Sequence, residues 1–251
     1  MISMTVANQK GGVGKTTLVF HLGQLFSEKW KTLLIDADPQ GNLTSCFTDI
    51  LDKENNIILA FEEKQPVPYE TGKNLYLVGS NISLSKYEAD AKLASFFRVK
   101  NFVKEQSSFD VILIDAPPSL GLFTSNAMLA ADYVLIPVDL SRFAISGLSD
   151  LLDSIEKIKE ATGNNIKPIG IVFSMVRERL LFYKETRDEI ERHYGPLLMN
   201  TFIPESVKVR ESISQGEPIV KSYPDHKVSI AYRELFDELE GRLRDERKLL
   251  E

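Results

Sequence analysis

One ten-residue stretch limits what this chain can fold into. Asn8-Gln9-Lys10-Gly11-Gly12-Val13-Gly14-Lys15-Thr16-Thr17 follows directly on an apolar run, residues 2–7, and opens a helix-length segment, residues 15–29. Glycines at 11, 12 and 14 let the backbone take positive φ and turn its N–H groups inward toward an anion. The helix behind them adds the partial positive charge of its N-terminus. Lys15 is then placed to reach the β- and γ-phosphates of a nucleotide, and the Thr16 hydroxyl to bind Mg²⁺. Strand, loop and helix in that order commit the chain to alternating strands and helices.

The rest of the sequence keeps that alternation. Candidate strands lie at 2–7, 32–36, 74–78, 111–115, 133–137, 167–173 and 199–203, with helical stretches at 15–29, 83–105, 121–131, 145–161, 180–194 and 229–249. LLID, VILID and VLIPVD are near-continuous apolar runs ending in or beside a carboxylate, as strands covered on both faces of a parallel sheet read. Leu148, Leu151, Leu152, Ile155 and Ile158 carry the 3,4 spacing of one buried helix face. The expected fold is α/β: a doubly wound, mostly parallel twisted sheet with helices on both faces, residues 1–251 forming a single domain. Residues 49–72 and 205–227 are the least regular. The second, with Pro204, Gly216, Pro218 and Pro224, is either a covering loop or part of a ligand's surroundings.

Composition narrows the classes. With 43% hydrophobic and 26% charged residues, the 251-residue chain is too apolar for disorder and too balanced for a fibre. No apolar run approaches the roughly 18 residues of a transmembrane helix, and the first is too short for a signal peptide. The single cysteine, Cys46, forms no internal disulfide and supplies no multi-cysteine metal site. A cytoplasmic location is expected. The net charge of −6 argues against a uniformly basic nucleic-acid binder but leaves room for a local basic face.

The loop departs from the plain phosphate-loop pattern G-x-x-x-x-G-K-[ST]. Its first glycine would fall at Gln9, and Lys10 adds a second lysine ahead of Gly11-Gly12. A lysine there points away from its own helix and is placed to contact a nucleotide held by a facing copy. Further on, Asp36 and Asp38 sit at and just beyond the second strand, and Asp115 ends another. Ligands of open parallel sheets bind beyond the carboxyl ends of the strands, so loop and carboxylates should converge. Asp115 suits a role holding Mg²⁺ through water, and Asp38 a role orienting an attacking water. Asp36 reads as a carboxylate holding nearby backbone or the loop lysine.

These residues resemble the deviant Walker A ATPases, and within them the ParA/Soj type of partition ATPase. NQKGGVGKTT, LLIDADPQGNLTS and FDVILIDAPPSLGLFTSNAML carry the match, extended by VLIPVDLSRFAISGLSDLL and, more loosely, IPESVKVRESISQGEPI. The resemblance implies ATP and Mg²⁺ as cofactors and a nucleotide sandwich homodimer. In it Lys10 would act in trans, Lys15 and Thr17 would hold phosphates in cis, and Gly11, Gly12, Val13 and Gly14 would line the nucleotide. Thr16, Asp38 and Asp115 would serve the metal, with Lys10, Lys15 and Asp38 catalytic. Asp115, Pro117 and Pro118 would form the switch, and Met175 and Pro204 would stack on the base. The family often has Arg-Asn where this chain has Glu205-Ser206.

The family also binds DNA without sequence preference, which points to Arg177, Arg179, Lys208 and Arg210. The last two share a side if their segment is extended. Nucleoid association and a ParB-type centromere-binding partner are likewise implied. With the loop's strand at the start of the sequence, no helix-turn-helix precedes it and operator binding is not expected. Three rivals stand beside this reading. A protein cargo would use the same switch. A MinD-type membrane ATPase would need a basic amphipathic tail, where residues 232–251 mix both charges, so no membrane partner is expected. An ATP-dependent amide-forming ligase would need a small-substrate pocket.

Overall fold

A computed structural model describes residues 1–90, 92–141, 144–177 and 181–246. A seven-stranded sheet is built from β1 (Ile2–Val6), β2 (Thr32–Asp36), β3 (Tyr69–Gly72), β4 (Leu75–Val78), β5 (Val111–Asp115), β6 (Tyr133–Val138) and β7 (Lys167–Phe173). Its order is β3-β4-β2-β5-β1-β6-β7, parallel throughout except for the β3–β4 hairpin at one edge. Around it lie α1 (Lys15–Ser27), α2 (Asn42–Ser45), α3 (Ile58–Phe61), α4 (Arg98–Lys104), α5 (Leu122–Ala130), α6 (Ala144–Thr162), α7 (Leu181–Tyr194), α8 (Val207–Ser214), α9 (Ile219–Ser222) and α10 (Lys227–Asp245).

Alternation along the strands feeds two cores. Leu33, Ile35, Ile112, Ile114 and Ile136 pack with α4, α5 and α6 on one face, and Met4, Leu34, Leu113 and Leu135 pack with α1 and α10 on the other. Both faces are therefore covered, as the near-continuous apolar runs require. The register fixes the site. Val6, Asp36 and Asp115 pair at one level across β1, β5 and β2, so the phosphate loop leaves the sheet beside both carboxylates.

Three expectations are corrected. Residues 199–203 form no strand. Met199 and Ile203 donate their N–H groups to Ile171 and Phe173, but between them the N–H groups of Asn200 and Thr201 turn to the Glu238 carboxylate at 2.9 and 3.1 Å. The seventh strand is β3, which doubles back through Asn74 at φ 59°. Residues 83–105 are not one helix. Two 3₁₀ segments precede the short α4, because Asp90 takes the Lys92 N–H and the Ser95 hydroxyl, a local alternative to helical bonding. Residues 205–227 are not only loop, since α8 and α9 lie within them. The helix expected to 249 is described to Asp245.

Candidate functional site

The loop between β1 and α1 is shaped by Gly12 at φ 74° and Gly14 at φ 87°, where a side chain would be strained. No side chain caps α1, so its first N–H groups face the loop. Both flanks are pinned. Asn8 donates to the Pro137 carbonyl (2.6 Å) and accepts the Lys10 N–H (2.9 Å), while the Ser174 hydroxyl donates to the Val13 carbonyl at 2.5 Å. Lys15 Nζ lies inside, donating to the Lys10 carbonyl at 3.0 Å. Burial lowers the Lys15 pKa, and the nearby charges of Asp115 and Asp38 oppose that shift.

The carboxylates divide into two kinds. Asp36 is fully buried and accepts three hydrogen bonds, from the N–H groups of Asp38 (3.1 Å) and Thr44 (2.9 Å) and from the Thr44 hydroxyl (2.8 Å). Of the two roles read from sequence, it holds backbone rather than the loop lysine, and so fixes the stretch carrying Asp38. Asp115 accepts the Thr16 hydroxyl at 2.7 Å, and its other oxygen is buried with no hydrogen-bond partner. Burial pushes both carboxyls above the usual carboxylate range. Asp36 adds to the shift of Asp115, and Asp38 pushes each carboxyl the same way.

A hydroxyl, an orphaned carboxylate oxygen and Asp38 form an all-oxygen donor set suited to Mg²⁺. Among the described residues no cluster of three or more His, Cys, Asp or Glu is arranged to hold a metal. Cys46 packs nearby, and burial pushes its thiol up to about 12, leaving it inert at neutral pH.

Lys10 goes elsewhere. Its ammonium pairs with Asp139 at the end of β6, at the rim of a cleft of about 320 Å³ that Gln9, Ser146 and Asp150 help to line. Pro118 lies close to the loop: a Cβ on Gly11 would lie 3.9 Å from its Cβ. The preceding Pro117 is buried, and the Thr124 hydroxyl of α5 donates to its carbonyl at 3.3 Å.

A second cavity, about 200 Å³, opens beside Gly14 and Thr17, with Met175, Pro204, Val209 and Ile213 among its walls. Met175 and Pro204 are the two residues that the family resemblance pointed to, and both line this cavity. Val209 and Ile213 were not read as site residues, because they reach the cavity from one face of α8, in a stretch read as loop. Their i, i+4 spacing behind Ser206, whose hydroxyl caps the helix by accepting the Lys208 N–H (3.2 Å), was the available signal.

Residues 1–168 match a family model described as an AAA domain, AAA_31. The sporulation initiation inhibitor protein Soj of Bacillus subtilis is 31% identical over 251 residues, covering 94% of this chain and 97% of Soj. The chain belongs to the ParA/Soj family of P-loop ATPases. Among solved structures, apo McdA of Cyanothece superposes with a TM-score of 0.85 at 24% identity, covering 97% of this chain and 99% of McdA. That likeness carries the fold. A protein described as cobyrinic acid a,c-diamide synthase from Mycobacterium smegmatis, with bound ADP and magnesium, superposes at 0.82 with 28% identity, covering 98% and 97% of the two chains.

Within this family the basic residues expected to face DNA are arranged differently from the sequence reading. Lys208 and Arg210 lie on a helix, where residues two apart point to opposed sides. Lys208 Nζ bonds Glu211 at 2.6 Å and sits 4.8 Å from the centre of the Tyr223 ring. Arg210 borders the second cavity, and Arg177 is held by Glu205. Arg179 lies outside the described residues. Among the described helices none is long and apolar enough to cross a membrane.

Proposed function

We propose that this chain is an ATP-driven dimerising switch for DNA partition. Two copies close face to face over two ATP molecules, the closed dimer holds DNA without sequence preference, and hydrolysis stimulated by a ParB-type partner releases it. The carrying observation is the placement of the two lysines: Lys15 fills its own cradle, whereas Lys10 lies outside it with its ammonium on Asp139. A cationic group free to leave such a pair can enter a facing copy's water-excluded phosphate site and stabilise charge on the transferring phosphoryl group.

In this reading Lys15 and Thr17 hold phosphates in cis, and Thr16, Asp115 and Asp38 hold Mg²⁺. The ion, when bound, neutralises charge on the β- and γ-phosphates. Asp38, positioned by Asp36, orients the attacking water. Pro118 stands close to the loop at Gly11, which gives nucleotide state a route to the surface from 115 to 118. Met175 and Pro204 seat the base. The protein acts in the cytoplasm over the nucleoid, and the partner decides whether DNA or a protein complex is carried.

Sizing and DNA binding of wild type and Lys10→Ala, with ADP, ATP and a non-hydrolysable analogue, test this reading. Wild type should dimerise and bind DNA only with triphosphate, with log K falling by about 0.9 per phosphate contact for each unit of log salt. Lys10→Ala should bind nucleotide but remain monomeric. Wild type that stays monomeric and off DNA with the analogue would sink the partition reading. The ligase alternative instead requires ATP consumption that depends on an added carboxylic acid and amine.

A further inference from the structure

In the reading above, a nucleotide seated on the phosphate loop places its base in the cavity beside Gly14 and Thr17. Its walls are mostly apolar, with the hydroxyl residues Thr17 and Ser206 among them, and two groups of opposite charge stand at it, Glu205 and Arg210. Glu205 is held in place. Its N–H donates to the Val176 carbonyl at 3.0 Å, next to the Val176–Pro204 bridge. Its carboxylate accepts from Arg177 through Nε and through Nη2, the latter at 3.1 Å. Each of these oxygens keeps a second lone pair. Arg210 is exposed and has no hydrogen bond or ion pair among the described residues, and it lies three positions before Ile213 on the α8 face that lines the cavity.

We propose that Glu205 and Arg210 read the Watson–Crick edge of the purine and select adenine over guanine, a refinement that rests on the nucleotide reading above. Adenine presents a donor, the N6 amine, beside an acceptor, N1; a carboxylate beside a guanidinium is the matching pair. Guanine in the same seat turns O6 toward Glu205 and N1–H toward Arg210, so acceptor faces acceptor and donor faces donor. Both groups stay within reach of water, so the mismatch costs about the worth of the lost hydrogen bonds to charged groups. Arg177 is a positioning residue: it aims the Glu205 carboxylate and touches no base. Arg210 is thereby assigned to nucleotide selection instead of DNA.

Calorimetric binding of ATP, GTP and purine riboside triphosphate, which lacks the N6 amine, with Mg²⁺ and wild type, Glu205→Ala, Glu205→Gln and Arg210→Ala, tests the assignment. Wild type should prefer ATP over purine riboside triphosphate by about tenfold or more, the worth of one hydrogen bond to a charged group. Glu205→Ala should bind those two alike. The isosteric Glu205→Gln, able to turn its amide toward O6, should bind GTP about tenfold better relative to ATP, and Arg210→Ala should lose discrimination against GTP. Substitutions that weaken all three nucleotides equally, or that leave the ratios unchanged, would overturn the assignment while the ATPase reading stands. Wild type that binds no triphosphate would overturn both.

Discussion

The two ends of the nucleotide site are built by different means. The phosphate end rests on the aligned ends of β1, β2 and β5, and its working groups are buried: Lys15 is 7% exposed, and Asp36 and Asp115 are fully covered. The end proposed for the base rests on the stretch after β7 and on α8, with Met175 41% exposed and its charged groups near the surface. Rigid strand ends suit groups whose geometry phosphate chemistry demands; the stacking and edge recognition proposed for the other end need only a short helix and a loop. Electrostatic effects should accordingly be large at the first end and modest at the second.

The widest separation between the ends comes from Lys15→Ala and Met175→Ala. Removing Lys15 takes a preorganised donor from the transferring phosphoryl group, and turnover should fall by about 10²–10³-fold. Removing most of the Met175 side chain strips a few apolar contacts from the base and should weaken ATP by about tenfold or less. Steady-state ATPase rates and ATP affinities on both variants measure the contrast. Equal losses would mean that the base end carries charge-stabilising work not evident in its structure.

The same contrast governs what could be read from the sequence. Every group of the phosphate end lies within ten residues of a strand end, so Gly12, Gly14, Lys15, Thr16, Asp36 and Asp115 are local signals that the parallel register then aligns. The base end is assembled from distant pieces: Arg177 and Glu205 are 28 residues apart, and no local pattern announces their pairing. Lys208 and Arg210 read as a shared basic face only if extended, and the Ser206 cap that winds them into α8 separates them. Lys10 was legible as an unusual lysine, but not its resting place on Asp139, which depends on the β1–β6 neighbourhood.

His21 ties α1, the helix behind the phosphate loop, to α9, and it does so in one protonation state. From α1 its Nδ1 donates to the Thr17 carbonyl (2.8 Å), while Nε2 accepts the Ile219 N–H (3.1 Å); the ring stacks on Tyr232 at 4.3 Å. Burial is the main cause of its lowered pKa, from 6.5 to about 4. The unfolded chain therefore takes up this proton first: the contribution is full above pH 6.5 and is lost as pH falls toward 4, by about 3 kcal/mol at most. Asp36 and Asp115, held above the carboxylate range, act with the opposite sign in acid, so the comparison must be with His21→Gln. Urea midpoints from pH 7 to 4.5 should fall more steeply in wild type than in the variant. Parallel slopes would remove His21 as the pH-sensitive tie.

The smallest expected effect concerns Lys10, which belongs to the phosphate end by sequence but is exposed like the base end. Its ion pair has side-chain exposures of 43% for Lys10 and 23% for Asp139. Such a pair contributes about 0.2–1 kcal/mol, less as salt rises. If Lys10 must leave Asp139 to cross into a facing copy, each dimer breaks two of these pairs. Asp139→Asn should then tighten ATP-dependent dimerisation by about 2- to 30-fold at low ionic strength. The gain should shrink in high salt and vanish in a Lys10→Ala background. Sedimentation equilibrium with a non-hydrolysable analogue measures it directly. A weaker dimer in Asp139→Asn would have the opposite meaning: Asp139 would be steering the ammonium toward the interface, and the exposed pair would work for closure instead of against it.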